Sequence, residues 1–97
     1  MRPLTTDLAQ AERRPYFFWD EDTSIEELRA GLERGTPEER LRLLAKMLRE
    51  ARDTDVWLFV KPQEVADALP RLAAHLGRRR SFWEYVIDRF RAHGFVR

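Results

Sequence analysis

The sequence predicts an all-α protein, a compact bundle of four to five short helices. Two observations carry this prediction. Residue patterns that begin helices recur along the chain, and apolar residues follow them at helical spacing. In addition, only residues 56–60 have the unbroken apolar character of a buried strand, and an isolated strand would leave its backbone hydrogen-bonding groups unpaired.

The size and composition of the chain exclude several classes of protein. Ninety-seven residues fit one domain, and we expect residues 1–14 to form a mobile N-terminal tail and residues 15–97 a single helical domain. The chain has no cysteine and only two histidines, His75 and His93, which excludes disulfides, thiolate zinc sites and multi-histidine metal sites. No apolar run approaches the ~20 residues of a membrane span, and no apolar signal core is visible. We therefore expect a cytoplasmic protein with no membrane contact.

Two capping patterns predict the first two helices. Ser24 and Glu27 have the spacing of a capping box, and the apolar stripe that follows ends at Gly35, which suits the left-handed position after a helix. Thr36 and Pro37 then supply a hydroxyl cap and a proline at the first helical position. The apolar residues after Pro37 spread over roughly 200° of the helix, twice the arc of an ordinary surface helix. Residues 37–52 are therefore predicted to be a central helix that packs on more than one side.

The second half of the chain predicts three further helical segments. Residues 55–60 are predicted to form a short buried helix with Asp55 as its cap. Pro62 begins the next helix, and Pro70 interrupts its apolar stripe, so this helix either ends at Leu69 or kinks there.

The last predicted helix follows Gly77, which closes the preceding segment. Ser81 and Glu84 form a third capping box. The residues at the core positions of this helix are Trp83, Val86, Ile87 and Phe90. Gly94 is its natural stop.

No residue pattern in the chain indicates catalysis. The acidic segments 20–22 and 53–55 lack the additional ligands of a calcium loop or a nucleotidyltransferase site, and we interpret both as helix caps. Neither histidine has a nucleophile or carboxylate at a catalytic spacing, and no glycine-rich phosphate loop is present. The sequence therefore predicts a protein that is not an enzyme and that has no catalytic residue, no cofactor and no metal.

Two clusters are candidates for binding a partner. Four consecutive aromatic residues precede the first capped helix, and because successive side chains diverge, some should pack inward while one or two stay at the surface. Three consecutive arginines precede the last helix and offer planar donor groups for a carboxylate or a phosphate. The candidate partner-binding residues are Tyr16, Phe17, Phe18, Trp19, Arg78, Arg79 and Arg80.

Several short segments resemble a family of small, uncharacterised bacterial helical proteins. The segments that carry the resemblance are Pro15-Tyr16-Phe17-Phe18-Trp19-Asp20, the helix from Glu39 to Arg52, Asp55-Val56-Trp57, Leu69-Pro70-Arg71-Leu72 and Phe82-Trp83-Glu84. Members of that family are often encoded beside nucleotidyltransferase toxins of the abortive-infection type. The resemblance implies an antitoxin-like or accessory partner of such a toxin and a helix-pair texture similar to a HEAT unit. No catalytic residues carry over from it.

Two functions from different classes remain. The first is a non-enzymatic module that binds a protein through its aromatic and arginine side chains; the resemblance implies a nucleotidyltransferase toxin as that protein. The second is a small DNA-binding regulator in which residues 78–80 contact phosphates and the following helix reads the bases. The near-neutral charge balance and the apolar character of the Trp83 face favour protein binding, because a recognition helix needs a polar face.

Overall fold

A computed structural model describes residues 1–97, and it confirms the all-α prediction. The chain forms five α-helices and one minimal pair of strands. Helices α1 (Ile25–Arg34), α2 (Pro37–Glu50) and α3 (Asp53–Val56) are followed by α4 (Pro62–Leu72) and α5 (Arg80–Ala92). Two single 3₁₀ turns, Ala73–His75 and Gly77–Arg79, connect α4 to α5. No helix combines the length and the apolar content that crossing a bilayer requires.

The chain divides into two compact units. The N-terminal unit comprises residues 1–43 and the C-terminal unit residues 44–97, and the division falls inside α2. The large buried apolar side chains of the N-terminal unit are Leu8, Phe17, Phe18, Ile25, Leu28 and Leu43. Those of the C-terminal unit are Leu44, Met47, Leu48, Val56, Val60, Val65, Leu72, Leu76, Trp83, Ile87 and Val96.

Residues 1–14, for which the sequence predicts a mobile tail, are hydrogen-bonded to the chain that follows them. Strand β1 (Leu4–Thr5) runs parallel to strand β2 (Arg14–Pro15). Further along, the amides of Ile25 and Glu26 donate to the carbonyls of residues 13 and 11, both at 2.9 Å. These two amides open α1 and have no intrahelical acceptor. The N-terminal segment therefore satisfies the first turn of this helix.

Three of the predicted helix starts are confirmed. Ser24 accepts from the amide of Glu27, whose carboxylate accepts from the amide of Ser24 in return, which completes the capping box. The hydroxyl of Thr36 accepts from the third residue of α2 at 3.1 Å. Pro62 occupies the first position of α4. The two hydroxyl caps bind amides three residues further along, and the ring of Pro62 fixes a helical φ by itself, so local sequence is enough to specify all three starts.

The capping box predicted at Ser81 is wrong. Helix α5 begins at Arg80, two residues before the start that a cap at Ser81 implies, and no side chain caps it. The residue before it, Arg79, already has helical backbone angles because it ends a 3₁₀ turn. A capping residue needs an extended backbone, so the turn that enters α5 directly leaves no place for one.

The left-handed conformation predicted for Gly35 is also wrong, since its φ of −70° and ψ of 167° are extended. Glycine is required there for a different reason, because a Cβ atom would collide with the carbonyl oxygen of Gly31. Gly77 and Gly94 do have positive φ angles, of 53° and 77°, and close their helical segments as predicted.

The boundaries of the middle helices differ from the prediction. The central helix ends at Glu50 instead of residue 52, and α3 covers residues 53–56 instead of 55–60. Val56 and Val60 are nevertheless buried, as expected of this apolar run. Helix α4 continues through Pro70 to Leu72 and then tightens into a 3₁₀ turn. The missing amide of the proline thus affects only the last turn of the helix.

Candidate functional site

The four aromatic side chains of residues 16–19 divide between the interior and the surface, as the sequence predicts. Phe17 and Phe18 are 1% and 0% exposed, Tyr16 is half-buried, and Trp19 is 60% exposed. The ring of Phe17 lies 5.1 Å from that of Tyr16 in an edge-to-face contact and 5.5 Å from that of Phe18. Phe17 and Phe18 are core side chains, so the position of both residues contradicts the surface role assigned to them. Trp19 has the exposure that contact with a partner requires.

A buried arginine holds the backbone of this aromatic loop. Arg14 is almost fully buried, and its Nη1 donates to the carbonyl oxygens of Phe18 at 3.0 Å and Trp19 at 3.3 Å. Its Nε donates to the carbonyl of Arg2. A guanidinium presents five donors in a fixed plane, so a single side chain can bind several carbonyls at once. The position of Trp19 is therefore set by Arg14, a residue that the sequence did not single out.

The acidic segment 20–22 belongs to the structure of the N-terminal unit. The carboxylate of Asp22 accepts from both the backbone amide and the Nε of Arg2, each at 3.1 Å. The guanidinium of Arg2 also binds Glu27, and Glu21 pairs with Arg42 at 3.3 Å. Hydrogen bonds from Arg2 lower the pKa of Asp22, and the amide of Ser24 together with Arg2 lowers the pKa of Glu27. The interpretation of this segment as structural is supported.

These depressed pKa values predict that the N-terminal unit loses stability in acid. A carboxylate whose pKa is lower in the folded state stabilises that state above its unfolded pKa, and this contribution disappears as the pH falls through the folded pKa. The ordinary values are 3.8 for Asp22 and 4.5 for Glu27, so the loss begins near pH 4.5 and continues below pH 3.8. Thermal melts of the wild type and of Asp22→Asn between pH 7 and pH 2.5 measure this loss of stability. We expect the variant to melt lower at pH 7 and the two melting curves to converge in acid; a constant difference would contradict the assignment.

The three consecutive arginines have different environments. The guanidinium of Arg79 lies 4.8 Å from the centre of the Phe82 ring and donates to the carbonyl of Ala51 at 3.4 Å. Arg80 pairs with Glu84 at 3.4 Å, whereas Arg78 is exposed and has no such contact. The three side chains therefore do not form a single binding cluster. They lie in the C-terminal unit, whereas the aromatic loop lies in the N-terminal unit.

A third candidate surface lies on α5 and the residues that flank it, and we name it the aromatic–arginine face. It consists of Arg79, Phe82, Tyr85, Val86, Arg89, His93 and Phe95, all of them exposed or half-exposed. Ring contacts connect this face to the interior. The Phe82 ring lies edge-on to the buried Trp83 at 5.1 Å, and the Phe95 ring lies edge-on to Phe90 at 5.9 Å. His93 stacks on Phe95 and also lies 3.3 Å from the guanidinium of Arg89.

Sequence reasoning missed this face because it placed Val86 in the core stripe through Trp83, whereas Val86 is only half-buried and also lies on a second stripe of α5. The second stripe was visible: residues 82, 86, 89 and 93 recur at intervals of four, three and four, which places them on one side of a helix. An aromatic residue and a valine on a side that also carries arginine and histidine are the signal for it.

No known protein family, curated protein or solved structure matches the chain. No three histidine, aspartate or glutamate side chains lie close enough together to hold a metal ion. The function is therefore inferred from the two exposed aromatic sites, Trp19 and the aromatic–arginine face.

Proposed function

We propose that the protein is a non-enzymatic module that binds a partner protein, and that Trp19 is an anchor of this contact. The observation that carries the proposal is the exposure of Trp19 on a loop whose carbonyls are held by the buried Arg14. Tryptophan is enriched among the few interface residues that supply most of the binding energy. An anchor that is already fixed in place loses little conformational entropy when it binds.

The family resemblance supplies the class of partner in this proposal. It makes the protein the antitoxin-like or accessory partner of a nucleotidyltransferase toxin encoded nearby, acting in the cytoplasm. A chain without cysteine needs no oxidising compartment to fold, which agrees with that location. The proposed role is binding alone, so it requires no catalytic group in this chain.

The alternative, a DNA-binding regulator built on residues 78–80, has less support. Arg80 is paired with Glu84, and Arg79 lies against Phe82 and the carbonyl of Ala51, so Arg78 alone has no internal contact. Affinity for the DNA backbone comes from several phosphate contacts made together. One unengaged arginine supplies too few of them for tight binding.

Replacing Trp19 by alanine is expected to weaken binding to the partner at least tenfold, since a hot-spot tryptophan contributes about 2 kcal/mol or more. The full chain is used to capture its partner from host cells, and calorimetry with the purified partner then measures Kd. The melting temperature of the variant should stay close to that of the wild type, because the side chain is exposed.

Two further variants make this test selective. Leu4→Ala removes another exposed apolar side chain from the same unit and should change neither Kd nor stability. Phe17→Ala removes a buried ring and should lower the stability of the chain by several kcal/mol. If the wild type captures no protein in stoichiometric amount, or if Trp19→Ala binds the partner as tightly as the wild type, the proposal is wrong. If the captured partner is not a nucleotidyltransferase, the binding role stands and the antitoxin assignment is wrong.

A further inference from the structure

We propose that the aromatic–arginine face of α5 is a second docking surface and that its occupant is an acidic protein segment bearing apolar side chains. The inference deepens the proposed function, because it gives the chemistry of a partner for a surface that does not include Trp19. Three features of the C-terminal unit support it: exposed rings held in fixed positions, arginines without carboxylate partners, and the way in which the rings are already covered.

The apolar part of this face is unusually exposed and yet well positioned. Tyr85 and Phe95 are 63% and 70% exposed, and Phe82 also reaches the surface. Phe82 contacts the buried Trp83, whose indole in turn lies 5.7 Å from the ring of Trp57. Side chains supported in this way from the interior form a surface whose shape exists before a partner arrives. Such preorganised aromatic surfaces are typical of protein-binding sites.

The charges around α5 indicate what this surface binds. On one side of the helix the arginines are neutralised, since Arg80 pairs with Glu84 and Arg91 pairs with Asp88 at 3.5 Å. On the aromatic–arginine face, neither Arg79 nor Arg89 has a carboxylate within ion-pair distance; the contacts of Arg79 are rings and a carbonyl, and that of Arg89 is His93. Cations left unpaired beside exposed rings complement an acidic, partly apolar segment.

Other side chains of this face lie against its aromatic rings, and this favours a protein over a single-stranded nucleic acid as the occupant. Bases bind such surfaces by stacking on open ring faces. The guanidinium of Arg79 lies over one face of the Phe82 ring at 4.8 Å, and the ring of His93 lies beside that of Phe95 at 6.2 Å in a stacked orientation. The half-buried Val86 adds an aliphatic side chain to this face, which suits leucine or isoleucine better than a base.

The test measures the anisotropy of a fluorescein-labelled peptide, Glu-Glu-Leu-Leu repeated three times, titrated with the full chain. We expect saturable binding in the micromolar range. Arg89→Glu should raise Kd at least tenfold. The matched control is Arg91→Glu, which reverses an arginine on the same helix that is already paired with Asp88, and it should change Kd less than twofold. Phe82→Ala should raise Kd as well, which separates a docking surface from charge attraction alone.

The other outcomes overturn the inference. Absence of binding, or equal losses with Arg89→Glu and Arg91→Glu, would show that the face is not a specific site for an acidic segment. If the same peptide with lysine in place of glutamate binds equally tightly, charge does not contribute to recognition at this face. Tighter binding of a twelve-nucleotide thymidine strand would assign the face to nucleic acid. Trp19→Ala should leave the affinity for the peptide unchanged. The docking surface on α5 can therefore be disproved while the anchor role of Trp19 stands, and the anchor role can be disproved while the docking surface stands.

Discussion

Replacing Trp83 by alanine is expected to lower the free energy of unfolding by about 3–5 kcal/mol, the range of buried aromatic truncations. The side chain is 0% exposed, and its ring contacts those of Trp57 and Phe82. Its indole N–H donates to the carbonyl of Leu48 at 2.8 Å. Leu48 lies in the last turn of α2, where carbonyls lack an intrahelical partner, so the substitution removes both a core ring and a helix cap. Urea denaturation followed by far-UV circular dichroism measures the loss.

Two variants on α5 divide this effect into its parts. Trp83→Phe retains an aromatic ring but removes the donor to Leu48, and we expect it to lose about 1–3 kcal/mol. Tyr85→Ala removes an exposed ring two residues away and should stay within about 0.5 kcal/mol of the wild type. If Trp83→Ala and Tyr85→Ala unfold at the same urea concentration, the stripe through residue 83 does not form the core of the C-terminal unit.

Replacing Arg14 by alanine is the second substitution with a large expected effect, a loss of about 2–4 kcal/mol. Hydrogen bonds from a charged donor are worth about 1.5–3 kcal/mol each, and a buried carbonyl left without a donor adds its own penalty. Arg14 donates to the carbonyls of Arg2, Phe18 and Trp19, so its removal frees both the N-terminal segment and the aromatic loop. Thermal and urea unfolding measure the stability. Acrylamide quenching of Trp19 fluorescence measures the loosening of the loop.

The neighbouring residue supplies the control for Arg14. Arg13 is exposed, and its replacement by alanine should leave stability within about 0.5 kcal/mol of the wild type. Arg14→Lys retains the charge but not the planar set of donors, so it should recover only part of the loss. If Arg14→Lys is as stable as the wild type, charge rather than the geometry of the carbonyl contacts accounts for the role of this residue.

The sequence predicts those parts of the fold that depend on neighbouring residues. Ser24 and Thr36 begin helices as expected because their partners lie within the next few residues, and Pro62 because its ring fixes φ at a helical value. The pairing of β1 with β2 brings together residues ten positions apart, and strands of two residues leave no alternating pattern to detect. The capping prediction at Ser81 failed because the preceding turn determines the entry into α5.

The candidate site, like the fold, is predictable from the sequence only in part. The divergence of successive side chains requires residues 16–19 to divide between core and surface, but only the path of the backbone determines that Trp19 is the exposed member. That path depends on Arg14, which donates to backbone carbonyls, and because every residue carries a carbonyl these contacts leave no trace in the sequence. The aromatic–arginine face was visible as a second stripe on α5, since Phe82 and Arg89 recur with a helical period.

The distribution of the three tryptophans gives each unit its own fluorescent reporter. Trp19 is exposed in the N-terminal unit, so its emission lies at the longer wavelengths of hydrated indole and aqueous quenchers reach it. Trp57 and Trp83 lie edge-to-face at 5.7 Å in the C-terminal unit, and the buried member emits at shorter wavelengths. Unfolding of the C-terminal unit exposes Trp83 and shifts its emission to longer wavelengths, whereas a partner bound at Trp19 shields that indole from quencher. Emission wavelength and quenching, measured together, therefore report the melting of one unit and the occupancy of the other.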